Sequence, residues 1–494
     1  MRRPTAVAAH LGWVIMVGIL APPMGSVKAA PAAERPNVLF IMTDQQFADA
    51  MSCRMGNQYI HTPAMDGLAK TGMMFTRAYT SNPLCMPARN SIFTGRYPHE
   101  TKITKNGGPQ LDPREFASMG SYFQAAGYET AYFGKWHLRY DPRDKQSHGF
   151  ETAECLHGNG HDSEVGDLAT KYVAGKSGDL DAPFLAVVSL SNPHDVCQLA
   201  RHESLPSGPI GNPPPPERCP PVPANLDPPK NETDTMAVLR KGYQGPGSKF
   251  PVGNYTDDQW RQLRWGYYRL VEMVDGEIGR VLASLRKAGR EQDTLIVFTS
   301  DHGECAGAHR FNQKTVFYEE SARVPLIVCL KGRTEPATCD RLVNTGIDIL
   351  PTLLDFAGIA APKKLTGRSL RPIALGGTPD EWRDHVVIQN HLSQSVRVDG
   401  FRAATEGRMV RSERYKYCVY GHGIRRESLV DMREDPLETV NLAQRPEYRQ
   451  ALLDHRELLR DFGKAHRDDL VKILVANDVE PRPFLLDEKA RGRR

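Results

Sequence analysis

The chain has 494 residues, a quarter of them charged, with a formal net charge of +4 and nine cysteines. So even a balance gives no electrostatic case for nucleic acid or an anionic membrane surface as a partner. The length suits one large domain plus a smaller one, with enough apolar residues for a sizeable core.

Residues 1–30 read as an export signal. Arg2 and Arg3 precede an apolar run from Leu11 to Leu20, and Val27-Lys28-Ala29-Ala30 supplies small residues at a cleavage site. Arg2-Arg3 lacks the rest of a twin-arginine pattern. The apolar run is too short for a bilayer, and no later segment approaches the ~20 residues a membrane helix needs. Removing the signal takes Arg2, Arg3 and Lys28 and no acidic residue, so the charge of +4 falls to +1. The expectation is a periplasmic or secreted protein without membrane insertion. An exported chain permits disulfides, but their pairing is not written in the sequence. Cys329 and Cys418 lie in apolar runs and fit equally well as buried thiols. No Cys-x-x-Cys spacing points to zinc.

Asn37–Met42 is a continuous apolar run, the mark of a strand buried on both faces. It delivers Asp44 and Gln45 to its carboxyl end, where Asp44 either ligates a cation or caps the next helix. Pro63 opens a helix that Gly72 ends, and a strand then leads to Cys85-Met86-Pro87-Ala88-Arg89. Pro87 suits a first helical turn, and the free amides of a helix mouth favour an anion. Cys85 is there either a nucleophile or an inert buried thiol. Ser121–Ala126 reads as a helix, and Thr130–Phe133 as a second core strand ending in Gly134-Lys135-Trp136-His137. In an extended segment Lys135 and His137 point to the same side.

Phe184–Leu190 is a third buried strand, handing over to Asn192-Pro193-His194. Eleven prolines between Leu205 and Pro229 forbid regular structure and predict an extended loop. Apolar residues from Trp260 to Leu285 recur at helical spacing, so a long amphipathic helix spans Asp257–Ala288 and ends at Gly289. Thr294–Thr299 is a fourth buried strand, followed by Asp301 and His302. Lys314 precedes another strand at Val324–Leu330. Strands alternating with helices predict an α/β fold with a large, mostly parallel sheet between helical layers. After Gly376 come polar, strand-rich segments and a helix over Pro446–Phe462. The predicted organisation is a signal over residues 1–30, a catalytic domain over 31–383 and a smaller α+β domain with an antiparallel sheet over 384–494.

Cys85-x-Pro87-x-Arg89, with Ser91 and Thr94-Gly95-Arg96, resembles the active-site signature of the type I sulfatases of the alkaline phosphatase-like superfamily. Thr62–Arg77, Gly134-Lys135-Trp136-His137 and Pro193-His194 resemble the family too. The resemblance implies that a maturation enzyme oxidises Cys85 to formylglycine. It implies one divalent cation, calcium first with magnesium or manganese as alternatives, held by Asp44, Gln45, Asp301, His302 and the residue at Cys85. The hydrated aldehyde would attack sulfur in line and release an alcohol. Arg89, Lys135 and Lys314 would spread the negative charge, and His194 and Lys314 would protonate the departing oxygen. His137 would assist the expulsion of sulfate. A sulfated saccharide is the implied substrate.

The family more often carries a second Asp at the position of Gln45 and an Asn or His at that of His302. Asp-Gln with Asp-His also resembles the phosphonate monoester hydrolases of the superfamily. The alternatives are therefore phosphonate monoester or phosphodiester hydrolysis, or a catalytically silent glycan-binding relative with an unmodified Cys85. His391 and Arg397 are polar residues near the domain junction.

Overall fold

Eight consecutive buried residues in Asn37–Asp44 can be hidden only by strands on either side and cover on both faces. The computed structural model describes residues 35–154, 161–178, 180–244, 252–392, 398, 404–476 and 479–484. The export-signal residues 1–30, Cys155 and Arg397 lie outside them. In it Asn37–Asp44 is an inner strand, β1, of an eight-stranded sheet. The chain continues with β2 (Met73–Phe75), β3 (Ala78–Tyr79), β4 (Glu129–Gly134), β5 (Thr152–Glu154), β6 (Phe184–Pro193) and β7 (Thr294–Ser300). Then come β8 (Leu326–Leu330), β9 (Ala337–Cys339) and β10 (Val343–Asn344).

The strand order is β5-β4-β6-β1-β7-β8-β2-β9. The five strands from β5 to β7 are mutually parallel, so their carboxyl ends open on one edge. β8 runs antiparallel to β7 and begins two residues later than the apolar run suggests. The physical reason is the connection: a parallel return needs a full crossover helix, and residues 301–325 hold only short turns of helix.

Alternation along β1 explains the two helical layers. Val38, Phe40 and Met42 point to a face covered by Ile92 and Phe93 of α1 (Cys85–Thr94) and by Ile349, Leu350 and Leu353 of a later helix. Leu39 and Ile41 point to the opposite face, covered by Tyr267, Leu270, Val274 and Ile278 of α2 (Asp257–Lys287). α2 starts in a capping box between Thr256 and Gln259, and Gly289 follows it at φ +72°, the left-handed conformation that a side chain disfavours. The proline-rich segment holds a single short 3₁₀ turn, Pro216–Arg218.

A separate four-stranded antiparallel sheet follows: β11 (His385–Leu392), β12 (Thr405–Ser412), β13 (Tyr415–Tyr420) and β14 (Glu427–Asp431). Val387, Val410, Val419 and Leu429 pack with Leu452, Leu459 and Phe462 of α3 (Arg449–His466) in a core of their own. The predicted helix start at Pro446 is a 3₁₀ turn that precedes α3. The eight described cysteines are all free thiols, with Cys329 and Cys418 buried.

Among the contacts that fasten this sheet to the preceding part of the chain are three from β11 and β13. Gln389 N donates to Ser81 O at 2.9 Å, and Asn390 Nδ2 donates to Thr315 O at 2.7 Å. Buried Lys416 places Nζ 2.8 Å from Glu319 and 2.7 Å from Glu438. Lys416→Met would leave buried Glu438 and half-buried Glu319 without their shared cation. It is expected to destabilise the protein by about 3–5 kcal/mol, read as a lower urea midpoint, and an unchanged midpoint would contradict the assigned role.

Candidate active site

Four strand ends and one loop deliver the polar residues singled out in the sequence. β1 ends in Asp44, β4 runs into Lys135, β6 leads to His194, and β7 leads to Asp301 and His302. Lys314 comes from the loop between β7 and β8. α1 begins at Cys85, with Leu84 as an extended N-cap residue that offers no side-chain bond to the helix amides. Cys85 thus enters the site from the helix mouth, as the position of Pro87 leads one to expect.

Arg89, one turn into α1, has no exposed surface. Its Nε lies 2.7 Å from Asp301 Oδ2 and its Nη2 3.1 Å from Asp44 Oδ2. Nη1 donates to Lys135 O at 2.9 Å and to Ser189 Oγ at 2.7 Å. Lys135 Nζ also approaches Asp44 Oδ2, at 2.7 Å. These cations hold the outer oxygen of each carboxylate and leave the inner one, Oδ1, facing the centre. Burial pushes Asp44 up, but Lys135, His194, Arg89 and Lys314 outweigh it and hold the carboxyl well below its usual range. For Asp301, burial and then the neighbouring Asp44 push the pKa up.

The inner oxygens form a donor set with Cys85 and His302. Ligand atoms of Asp44, Cys85, Asp301 and His302 all lie within 4.8 Å of one another. Cys85 Sγ is 3.1 Å from His302 Nε2 and 3.6 Å from Asp44 Oδ1. His302 Nδ1 meets Gly303 O at 2.9 Å, so its proton sits there and Nε2 is left to face the carboxylates. Burial lowers the His302 pKa, but Asp301 and Cys85 more than reverse this. Two carboxylates, an imidazole and the residue at Cys85 therefore fit a divalent cation.

The Gln45 side chain is held at both ends. Its Oε1 accepts from Lys314 Nζ at 2.5 Å, and its Nε2 donates to Glu304 Oε2 at 2.5 Å. Lys314 Nζ reaches Cys85 Sγ at 3.3 Å. Burial opposes the charge on Lys314, but Cys85, Cys197, Asp44 and Asp301 raise its pKa, so it stays an ammonium. Burial and Asp44 oppose ionisation of the Cys85 thiol, yet Lys314, His302 and Lys135 hold it well below the usual thiol range. His194 is pushed down to about 3 by burial, Lys135 and Lys314, which leaves it neutral.

His137 departs from the extended picture. Gly134 sits at φ +99° and His137 at φ +49°, so simple alternation between Lys135 and His137 does not apply. The His137 Nδ1 is buried without a hydrogen-bond partner. Ser189 and Glu304 escape the sequence reading. Ser189 carried a faint signal, as a hydroxyl inside a fully buried strand. His391 lies on β11, with Nδ1 3.2 Å from Glu406 Oε1.

A cluster of buried carboxylates and cations around a cysteine at a helix mouth, on the open edge of a parallel sheet, agrees with the comparisons with known proteins. Residues 36–359 match the sequence profile described as Sulfatase. Residues 307–464 match the one described as N-sulphoglucosamine sulphohydrolase, C-terminal. The chain belongs to the sulfatase family of the alkaline phosphatase-like superfamily and is a sulfuric ester hydrolase.

Among relatives, a Delta 4,5-hexuronate-2-O-sulfatase of Bacteroides thetaiotaomicron is 30% identical over 473 residues, covering 92% of this chain and 94% of the relative. The structure of a 2-O GAG sulfatase superposes with a TM-score of 0.75 at 26% identity, covering 93% of this chain and 97% of that one. The phosphonate monoester hydrolase of Agrobacterium radiobacter gives a TM-score of 0.70 at 26% identity, covering 87% and 96%.

Arg89→Lys tests the cage, because an ammonium cannot span both carboxylates, a carbonyl and a hydroxyl as a guanidinium fork does. It is expected to lower kcat about a hundredfold or more. Steady-state kinetics on an aryl sulfate would read this, and a rate like that of the unaltered enzyme would contradict the assignment.

Proposed function

We propose that this enzyme removes sulfate from sulfated saccharides outside the cytoplasm, with a formylglycine made from Cys85 by a maturation enzyme as its nucleophile. The observation that carries the reading is the meeting of Cys85, the Asp44–Asp301–His302 donor set and the Lys314 ammonium in one buried cage. The family generally uses a metal and formylglycine, and the chemistry of this donor set suits a divalent cation, with calcium the first choice. Asp44, Asp301, His302 and the residue at Cys85 would hold it, with Gln45 Oε1 beside them. Bound there, it would activate the nucleophile and screen the sulfate oxygens.

The remaining work falls to side chains already in place. Lys135 and Lys314 bring N–H donors and positive charge to the edge of the cage, where negative charge grows on the transferred group. Arg89 contributes its charge while fixing both carboxylates. Lys314, protonated, would give its proton to the departing oxygen, and His194, neutral, would donate a hydrogen bond to it. His137 would assist release of sulfate. The export-signal pattern of residues 1–30 supports a periplasmic or secreted location, and no helix of the described residues is long and apolar enough to cross a membrane. The saccharide substrate is supported by the two relatives named as 2-O-sulfatases.

A second reading rests on a specific observation. Gln45 replaces the second Asp more usual in the family, and the phosphonate monoester hydrolase of A. radiobacter shares the fold. A less negative cage would tolerate a phosphonate monoester or phosphodiester. Comparing kcat/KM for an aryl sulfate, an aryl phosphonate and a panel of defined sulfated saccharides separates the two. The expected result is a preference for sulfate over phosphonate with release of sulfate from at least one saccharide. A clear phosphonate preference would overturn the first reading.

A further inference from the structure

Glu304 has no exposed surface, and the reaction outlined above gives it no task. Its Oε1 accepts from the backbone amides of Ala306 at 3.0 Å and Gln313 at 2.6 Å. Its Oε2 accepts from Gln45 Nε2 at 2.5 Å. The other end of the same amide, Gln45 Oε1, accepts from Lys314 Nζ at 2.5 Å, and that ammonium is 3.3 Å from Cys85 Sγ. A carboxylate only accepts and an ammonium only donates, so a side-chain amide placed between them has a single satisfactory orientation.

We propose that Glu304 is a positioning residue that fixes the orientation of the Gln45 amide, so that its carbonyl oxygen and not its NH2 group faces Lys314. The inference rests on the reading of Lys314 as a group that acts at the Cys85 centre. It also links two features of this chain. An acid at position 45, more usual in the family, would turn a second carboxylate toward Glu304, and like charges at that range repel. Gln45 and Glu304 therefore suit each other, with the carboxylate standing one residue further from the reacting atoms. The grip of Glu304 on Gln313 N anchors the residue before Lys314, so one side chain sets both partners of the Gln45–Lys314 bond.

A charge swap tests this. In Glu304→Gln the amides of Ala306 and Gln313 claim the new side chain's oxygen, and its NH2 is left facing Gln45. Gln45 must then rotate its own oxygen toward it and turn NH2 on the Lys314 ammonium, donor against cation. Gln45→Glu alone sets carboxylate against carboxylate. In Gln45→Glu/Glu304→Gln the new carboxylate accepts from both the new NH2 and Lys314, and both hydrogen bonds return. With rates normalised to the aldehyde content at position 85 and folding checked by Tm, each single variant is expected to lower kcat about tenfold to a hundredfold, with KM changed less. The double variant is expected to recover most of that loss.

A Glu304→Gln enzyme with unaltered kcat, or a double variant as slow as the product of the singles, would overturn the proposal. If Glu304→Gln fails to fold, Glu304→Asp replaces it. That variant keeps the charge but withdraws it by one methylene, so a loss in kcat with KM retained is expected, and unaltered kcat would again overturn the idea. Lys314→Ala separates the two levels of the account. Unaltered kcat there removes the reading of Lys314 and the proposal with it, whereas a slow Lys314→Ala enzyme beside an additive swap removes the positioning role alone.

Discussion

A guanidinium with no exposed surface, Arg89, is the contact on which the rest of this site depends. Two buried carboxylates from adjacent strands, Asp44 and Asp301, would repel each other in a region that water does not screen. Arg89 binds the outer oxygen of each, and its third arm holds the Lys135 carbonyl and the Ser189 hydroxyl. Four neighbouring strand ends and the first turn of α1 are thereby set in one geometry. The inner oxygens are turned toward Cys85 and His302 as a consequence. A planar fork is needed because no other side chain reaches four acceptors in fixed directions.

The smaller sheet serves the same centre from outside. Asn390 on β11 holds the Thr315 carbonyl, next to Lys314, and Gln389 on the same strand holds Ser81, four residues before Cys85. Lys416 on β13 ties Glu319, later in the loop between β7 and β8, to Glu438. The loop between β7 and β8 has only short helical turns of its own, so its shape is imposed by these contacts and by Glu304. The position of the ammonium relative to Cys85 is thus a property of both parts of the chain.

Legibility in the sequence follows from the range of the interactions. Buried parallel strands announce themselves as apolar runs because both of their faces are covered, and the residues after each run are carried to one edge by the fold. Asp44, Lys135, His194, Asp301 and His302 follow such runs and stand at neighbouring strand ends. The direction of β8 was not legible, because an apolar run of five residues looks alike in either direction. The alternation of Lys135 and His137 gave way to left-handed backbone at Gly134 and His137, which only the packing decides. Glu304 stands two residues past His302 in plain view, yet its partner Gln45 lies 259 residues away, and a bond of that kind has no local signature.

The central claim is that this cage acts on sulfate esters through an aldehyde at position 85 and not through a thiol. The most direct test is the mass of the tryptic peptide Ala78–Arg89 from enzyme of known specific activity toward an aryl sulfate. The account predicts the aldehyde or its hydrate in proportion to activity, with no reactive thiol in the converted fraction. Fully active protein carrying an intact Cys85 thiol would contradict it.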